Sequence, residues 1–177
     1  MTTPIVLTFI GHDRPGLVNA ISEKVADSGG TWLESRLAHL AGEFAGILLV
    51  SVPDSKIAVL TAALRDLETS GLRIAVERSS DAQTDRSRKT FKLEVVGHER
   101  PGIVREVTQA LTQLGVNIEE FSSSIEGAPF SGAEMFRAAA RLRAPNDLTL
   151  DDLRKNLERL AQEITVDLTA IESDLQV

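Results

Sequence analysis

The octapeptide Gly-His-Asp-Arg-Pro-Gly-Leu-Val at residues 11–18 returns as Gly-His-Glu-Arg-Pro-Gly-Ile-Val at residues 97–104. Six of the eight positions are identical, and the other two carry conservative replacements. The offset of 86 residues is about the size of a small domain. The sequence therefore predicts two copies of one fold.

The repeat predicts domains at residues 1–78 and 89–177, joined by a linker at residues 79–88. The linker sequence is polar and without periodicity, which is typical of a connection between domains. Later landmarks of the repeat are offset by 92 residues, so the second copy contains six extra residues. We expect this insertion in the turn-rich segment 126–132.

Composition excludes several classes of protein. The 177 residues include no Cys, which removes disulfide frameworks, thiolate zinc sites and a cysteine nucleophile. The net charge of −7 is shared by both halves, so direct nucleic-acid binding is disfavoured. The first residues contain neither a basic segment nor a sustained apolar run, and we expect a cytoplasmic protein without membrane contact.

Hydrophobic periodicity predicts the same element order in both copies. Each copy has a strand before the octapeptide, a helix after it, two strands joined by a Gly-containing turn, a second helix and a final strand. The predicted strands cover residues 4–10, 31–40, 43–52 and 72–77 in the first copy, and 90–96, 116–125, 133–143 and 165–171 in the second.

The predicted helices have apolar stripes at helical spacing. Those after the octapeptide present Leu17, Val18, Ile21 and Val25, or Ile103, Val104, Val107, Leu111 and Leu114. The second helices are predicted to begin at a cap formed by Asp54 or Ser55, or by Asn146 or Asp147. Their stripes are Leu60, Ala63, Leu64 and Leu67, or Leu150, Leu153, Leu157 and Leu160.

This order, βαββαβ twice, predicts an α+β protein of two ferredoxin-like domains. Each domain would be a four-stranded antiparallel sheet with two helices on one face. The apolar stripes must cover the sheets, so no helix is free to enter a DNA groove. Exposed sheet edges or faces are expected to pair, within the chain or in a homodimer.

The Pro-Gly turn of the octapeptide is a candidate anion site. Pro15 and Pro101 suit the first turn of a helix, and the preceding Asp, Glu and Arg residues can lie at or near the cap. Gly16 and Gly102 would allow close approach to the backbone, and free amides around Leu17 and Ile103 favour a carboxylate. The alternative is that Pro and Gly serve turn geometry alone.

With the sequence Gly-Val-Asn-Ile at residues 115–118, these features resemble the ACT domain, a small-molecule sensing module that often binds amino acids. Two copies filling the chain resemble the family of glycine cleavage system transcriptional repressors. The resemblance implies a ligand between the first loop of one module and the start of a second strand, where Asn117 matches the ligand-binding Asn. Thr31 replaces it in the first copy, so we expect unequal sites, with the Asn117 site the functional one.

The predicted ligand-binding residues are therefore His12, Asp13, Arg14, Gly16, Leu17, Thr31, His98, Glu99, Arg100, Gly102, Ile103, Asn117 and Ile118. For His12 and His98, ligand contact or loop hydrogen bonding is favoured over catalysis or metal binding, because a His-acid dipeptide is weak evidence. No catalytic residue, metal or cofactor is predicted. His39, alone in a strand, is expected to be structural or exposed.

Arg137, Arg141 and Arg143 share one side of a strand in the second copy, opposite Phe136 and Leu142. One interpretation is a solvated face paired with Glu119 or other acids. The other is a patch that binds an acidic protein partner or an anion.

The functional hypothesis is a non-enzymatic regulator that responds to a small amino acid, glycine by resemblance. It would act on transcription through a protein partner such as an activator. One alternative is a relative of the regulatory part of a formyltetrahydrofolate hydrolase, and another is a scaffold that binds no metabolite. The ligand, the partner and the direction of the response are not identified by the sequence.

Overall fold

The computed structural model describes residues 1–79, 89–127, 133–158 and 164–171. The chain divides into two compact units, Met1–Gln83 and Thr84–Val177. The predicted linker, apart from Ser79, and most of the predicted insertion lie outside the described residues. The domain bounds 1–78 and 89–177 stay predictions.

The first domain has the predicted order, with two short 3-10 turns on either side of its second helix. Its elements are β1 (Thr2–His12), α1 (Leu17–Asp27), β2 (Thr31–Leu40), β3 (Glu43–Pro53), a 3-10 turn (Asp54–Lys56), α2 (Ile57–Asp66), a second 3-10 turn (Leu67–Ser70) and β4 (Arg73–Arg78). The elements of the second domain are β5 (Lys89–His98), α3 (Ile103–Gln113), β6 (Asn117–Gly127), β7 (Glu134–Ala144), α4 (Leu150–Glu158) and β8 (Ile164–Ile171).

Both sheets are antiparallel and have the same strand order, β2-β3-β1-β4 in the first domain and β6-β7-β5-β8 in the second. The two edge strands also share a β-bulge-like irregularity. The register of β2 against β3 shifts between Trp32 and Glu34, and that of β6 against β7 shifts between Ile118 and Glu120. The predicted pair of ferredoxin-like domains is confirmed.

Alternation along each central strand decides which face the helices cover. In β5, Phe91, Leu93 and Val95 are buried, while Lys92 and Glu94 are exposed on the opposite face. The buried residues pack with the apolar stripes of the helices into one core per domain. Burial of apolar area of this kind is the main favourable term in folding. We call the face of each sheet away from the helices its open face.

Two valines of the predicted helical stripes do not belong to the cores. Val18 is 37% exposed and Val104 is 40% exposed, although both follow a buried residue. Each lies in the first turn of its helix, next to the octapeptide turn. The prediction that they face the core is wrong, and Leu160 lies outside the described residues.

The predicted caps of the second helices are also wrong. Helix α4 begins after Thr149, whose hydroxyl accepts a hydrogen bond from the Asp152 backbone amide, while the Asp152 carboxylate accepts from the Thr149 amide and hydroxyl. This reciprocal pair replaces the predicted caps Asn146 and Asp147. In the first domain a 3-10 turn precedes α2, and the Asp54 carboxylate instead accepts a hydrogen bond from the Thr3 hydroxyl at 2.6 Å.

Within the described part of the chain, no helix combines the length and apolar character needed to cross a bilayer.

Candidate functional site

The Arg-Pro-Gly segment of each octapeptide forms a tight turn that leads into a helix. Gly16 and Gly102 both have φ of 93° and ψ near 0°, values typical of the third residue of a type II turn. The carbonyl oxygens of Gly16 and Gly102 accept the first helical hydrogen bonds, from Ala20 and Glu106. We call each segment from the acidic residue to this glycine, residues 13–16 and 99–102, a corner.

This geometry corrects three details of the predicted anion site. The prolines precede the helix, which begins at Leu17 or Ile103, instead of lying in its first turn. The caps are the glycines, and no side chain of the corner makes a capping hydrogen bond. The Ile103 amide donates to the Arg100 carbonyl at 3.4 Å, so it is not free. The positive φ is itself a sufficient reason for glycine.

Each corner is fastened to the end of the neighbouring hairpin by a backbone hydrogen bond. The Asp13 amide donates to the Gly42 carbonyl at 2.9 Å, and the Glu99 amide donates to the Glu134 carbonyl at 3.0 Å. The corner therefore lies against the far end of the edge strand, β2 in the first domain and β6 in the second. This contact places residues of the edge strand next to the first turn of the helix.

The corner arginines have different partners in the two domains. Arg14 donates to the Ser70 carbonyl at 3.1 Å. The Arg100 guanidinium donates two hydrogen bonds to the Glu106 carboxylate, at 2.8 and 2.6 Å, and this charge-assisted pair lowers the pKa of Glu106. Ala20 is the counterpart of Glu106, so the first domain lacks this link between its corner and its helix.

The predicted ligand contacts His12 and His98 lie on the open face, away from the helix terminus. Each ends a central strand, opposite Glu43 or Met135. His12 Nδ1 lies 2.9 Å from Glu43 Oε1, and His39 Nε2 lies 3.8 Å from Asp13 Oδ2. Among the described residues no group of three or more His, Cys, Asp and Glu side chains is arranged to hold a metal.

A pocket lies beside each corner, between the first turn of the helix and the hairpin. The pocket of the second domain measures about 440 Å³ and is lined by Glu99, Arg100, Gly102, Ile103, Val104, Ser123, Ser124, Ile125 and Phe136. The pocket of the first domain measures about 250 Å³ and is lined by Asp13, Arg14, Gly16, Leu17, Val18, Asn19 and Phe44. The structure thus brings together the predicted residues of each corner.

The edge strands contribute differently to the two pockets, since residues of β6 line the second pocket and those of β2 are absent from the lining of the first. Leu37 of β2 lies opposite Gly46, and its equivalent, Ser123 of β6, lies opposite Ala138. Since Gly46 has no side chain, Leu37 approaches its Cα so closely that an added Cβ would collide with Leu37 Cδ2. Leu37 therefore packs across the inner face of the first sheet, whereas the serine leaves this space open in the second.

The start of the edge strand is remote from the corner of its own domain. In the first domain His12 pairs with Glu43 and Thr31 pairs with Ser51, eight residues further along β3. In the second domain His98 pairs with Met135 and Asn117 pairs with Arg143, again eight residues further along β7. Eight residues of strand span about 27 Å. Thr31, Asn117 and Ile118 therefore lie away from the corner of their own domain.

The three arginines of β7 form ion pairs with acids of β6. Arg137 Nε lies 3.0 Å from Glu126 Oε2, while Arg141 Nε and Arg143 Nε lie 3.5 and 2.6 Å from the two oxygens of Glu119. Glu119 reaches both because it occupies the position of the register shift. The pairing with Glu119 is confirmed, and the role of these arginines in partner binding stays a prediction.

Sequence reasoning missed the pocket residues contributed by the helix, the edge strand and β7, namely Val104, Ser123, Ser124, Ile125 and Phe136. A signal for two of them was present in the repeat. Ser123 and Ile125 align with Leu37 and His39, a change from a large apolar to a small polar residue and from a polar to an apolar one.

Comparisons with known proteins agree with this geometry. Models of the ACT domain match residues 3–77 and residues 92–160. The chain is a tandem ACT-domain protein. The glycine cleavage system transcriptional repressor of Escherichia coli is 25% identical to it over 162 residues, which are 90% of this chain and 85% of the repressor.

A phosphoserine phosphatase of Mycobacterium tuberculosis is 32% identical over 138 residues. The match covers 74% of this ACT protein but spans only a third of the length of the phosphatase. Among solved structures, an unknown protein from Galdieria sulphuraria superimposes with a TM-score of 0.86 at 30% identity, covering 97% of this chain and all of that one. The tandem architecture is thus shared over the whole length of another protein.

Proposed function

We propose that this tandem ACT protein is a cytoplasmic regulator that responds to a small amino acid and acts on transcription through a protein partner. The observation that carries the proposal is the match to a transcriptional repressor over 90% of this chain and 85% of the repressor. Glycine is the first ligand to test, because that repressor is named for the glycine cleavage system. No catalytic role is proposed, since the phosphatase match leaves two thirds of that enzyme unaccounted for.

The charge of the chain supports an indirect action on genes. Its net charge of −7 opposes the phosphate backbone, and the stripes of its helices are buried against the sheets. The arginines of β7 do not form a free basic surface, because Glu119 and Glu126 lie against them. A protein partner is therefore a better intermediary than direct DNA contact.

In the proposed mechanism the ligand stabilises one pairing of modules over another. Asn117 is about 27 Å along the strand from the corner of its own domain. A ligand held by Asn117 and by a corner must therefore bridge two modules. A ligand shifts such an equilibrium only by its difference in affinity for the two states. Binding and assembly are consequently expected to depend on each other.

Calorimetric titration of glycine, serine and other amino acids into the purified full chain tests the sensor proposal. Heat of binding with at least one amino acid is expected. No heat with any of them would remove the sensor role and favour a scaffold.

The variant Asn117→Ala separates the sensor from the scaffold, with Thr31→Ala as the matched control in the first domain. We expect N117A to lose amino-acid binding but to keep its partner in a pull-down from cell extract, while T31A keeps both. Comparing pull-downs with and without glycine reports whether the ligand promotes or dissolves the complex. If N117A changes neither binding nor capture, the bridging mechanism is wrong.

A further inference from the structure

The pockets beside the two corners differ in a way that bears on which ligand can bind. Small-molecule sites commonly measure about 300–1,000 Å³. The pocket of the second domain, at about 440 Å³, falls inside this range, whereas that of the first, at about 250 Å³, falls below it. The volume therefore favours the second domain as the ligand site.

The inner part of the second pocket is apolar. Ile103 and Phe136 form its floor and are buried, and the more exposed Val104 and Ile125 stand beside them. Exposed apolar side chains that cluster around a concave surface are typical of a binding site. Glycine has no side chain, so it would leave this apolar surface in contact with water.

The remaining lining residues are polar and suit the head group of an amino acid. Glu99 offers a carboxylate for an ammonium group, and Ser123 offers a hydroxyl that can donate or accept. Arg100 is held by its two hydrogen bonds to Glu106, which fixes the wall of the pocket next to the corner. The pocket thus combines a polar rim with an apolar interior.

We propose that the pocket of the second domain binds an α-amino acid with an aliphatic or aromatic side chain in preference to glycine. The side chain lies against Ile103, Val104, Ile125 and Phe136, and the ammonium group lies near Glu99. The first domain does not bind this ligand, because Leu37 covers the equivalent space. The inference rests on the proposed function and names the ligand class taken by the corner of the second domain. The Asn117 of the bridging mechanism then belongs to a second copy of the chain.

Ser123→Leu tests the location of the site, because it gives the second domain the residue that the first one has. A leucine here cannot lie over Ala138 as Leu37 lies over Gly46, since the alanine methyl occupies that space. It must turn into the pocket. Leu37→Ser is the matched control in the first domain, and Ser123→Ala keeps the pocket open without the hydroxyl.

The probes are glycine, L-serine and L-leucine, titrated by calorimetry into the full chain and each variant. Thermal unfolding of every variant checks that it is folded. We expect leucine to bind about tenfold or more tightly than glycine, because burying one aliphatic side chain increases affinity by at least this factor. S123L should reduce leucine affinity by a similar factor, and S123A should reduce it less because it removes only the hydroxyl. L37S should leave leucine binding within about threefold, a change below 1 kcal/mol.

The outcomes separate this inference from the proposed function. If glycine or serine binds as tightly as leucine, the preference for an apolar side chain is wrong and the sensor proposal stands. If a folded S123L binds leucine like the wild-type chain, or L37S loses that binding, the site has been assigned to the wrong domain. If no amino acid produces heat, both the inference and the sensor proposal fail.

Discussion

Leu37 in the first domain and Ser123 in the second occupy the same place on equivalent edge strands, yet one lies across the sheet and the other borders a pocket. The backbone around them is repeated, including the φ of 93° at both corner glycines. What has changed is the set of side chains beside a conserved turn. Duplication has kept the scaffold and left a larger pocket in one copy.

The open faces of the two sheets differ in the same manner. Val6 and Leu49 pair on the first sheet, and their equivalents on the second sheet, Lys92 and Arg141, also pair. On the second sheet the Lys92 ammonium lies 2.6 Å from the Glu94 carboxylate. At the pairing of its two central strands the first open face is thus apolar and the second charged, although the register is the same.

The largest loss of stability is expected from Gly46→Ala. This change disturbs the packing of Leu37 over Gly46, which is found only in the first domain. An added Cβ would lie 2.8 Å from Phe9 Cε1, and the Phe9 ring is itself packed against Phe44. Overpacking of this kind costs about 1–3 kcal/mol. Urea denaturation measures the loss. A change below about 0.5 kcal/mol, the scatter of ordinary surface substitutions, would mean that Phe9 and Leu37 move aside freely.

Gly16→Ala and Gly102→Ala are each expected to lower stability less than Gly46→Ala does, and by equal amounts. They test the corner turn that the two domains share. Both glycines have positive φ, and a left-handed conformation costs a residue with a Cβ about 1–2 kcal/mol. Gly127→Ala is the control, because its added Cβ meets nothing within 4 Å and its φ lies outside the left-handed range. Clearly unequal losses for the two corners would show that the turns are not equivalent in energy.

Thr149→Ala tests a difference between the second helices of the domains. At the start of α4 the side chains of Thr149 and Asp152 each accept a hydrogen bond from the backbone amide of the other residue. Helix α2 instead follows a 3-10 turn and has no side-chain cap. Removing an N-cap typically costs about 1 kcal/mol. Thr149→Ser keeps the hydroxyl and should lose much less in thermal or urea unfolding. An alanine variant as stable as wild type would indicate that the cap adds little here.

The smallest effect is expected from Glu106→Gln, and it depends on pH. The hydrogen bonds from Arg100 lower the pKa of Glu106, so the ion pair stabilises the fold above the pKa of an unfolded glutamate. This contribution is lost as the pH falls through the lower pKa of the folded state. The stability difference between wild type and E106Q, from urea unfolding, should therefore shrink on acidification. A difference that stays constant down to pH 2, well below the ordinary glutamate pKa, would contradict this pairing.

The element order was predictable because alternation in the strands and helical spacing after the Pro-Gly turn appear twice. The predicted bounds of β2, residues 31–40, agree with the structure. Helix starts were less predictable, since Asn146, Asp147 and Thr149 can all act as caps and only the packing of Leu150 and Leu153 selects among them. Val18 and Val104 fit a helical stripe but face the pockets.

The candidate site was predictable only in part. The corners were found because they are repeated, but the pocket wall depends on the register that brings Ser123 opposite Ala138 and Ile125 opposite Phe136. The register of a strand is only weakly specified by its own pattern when the strand is mostly polar, as β6 is. The separation of Asn117 from its own corner likewise follows from strand direction, which becomes visible only when the sheet is assembled.

Amide chemical-shift mapping by NMR tests most directly whether the second domain holds the ligand site. L-leucine and glycine would be added separately to the isotope-labelled full chain. We expect leucine to shift the amides of residues 99–106 and 122–126, and to leave those of residues 13–20 and 36–40 unchanged. The assignment of the site to the second domain would be contradicted if leucine shifted only the amides of the first corner, or the amides of neither corner.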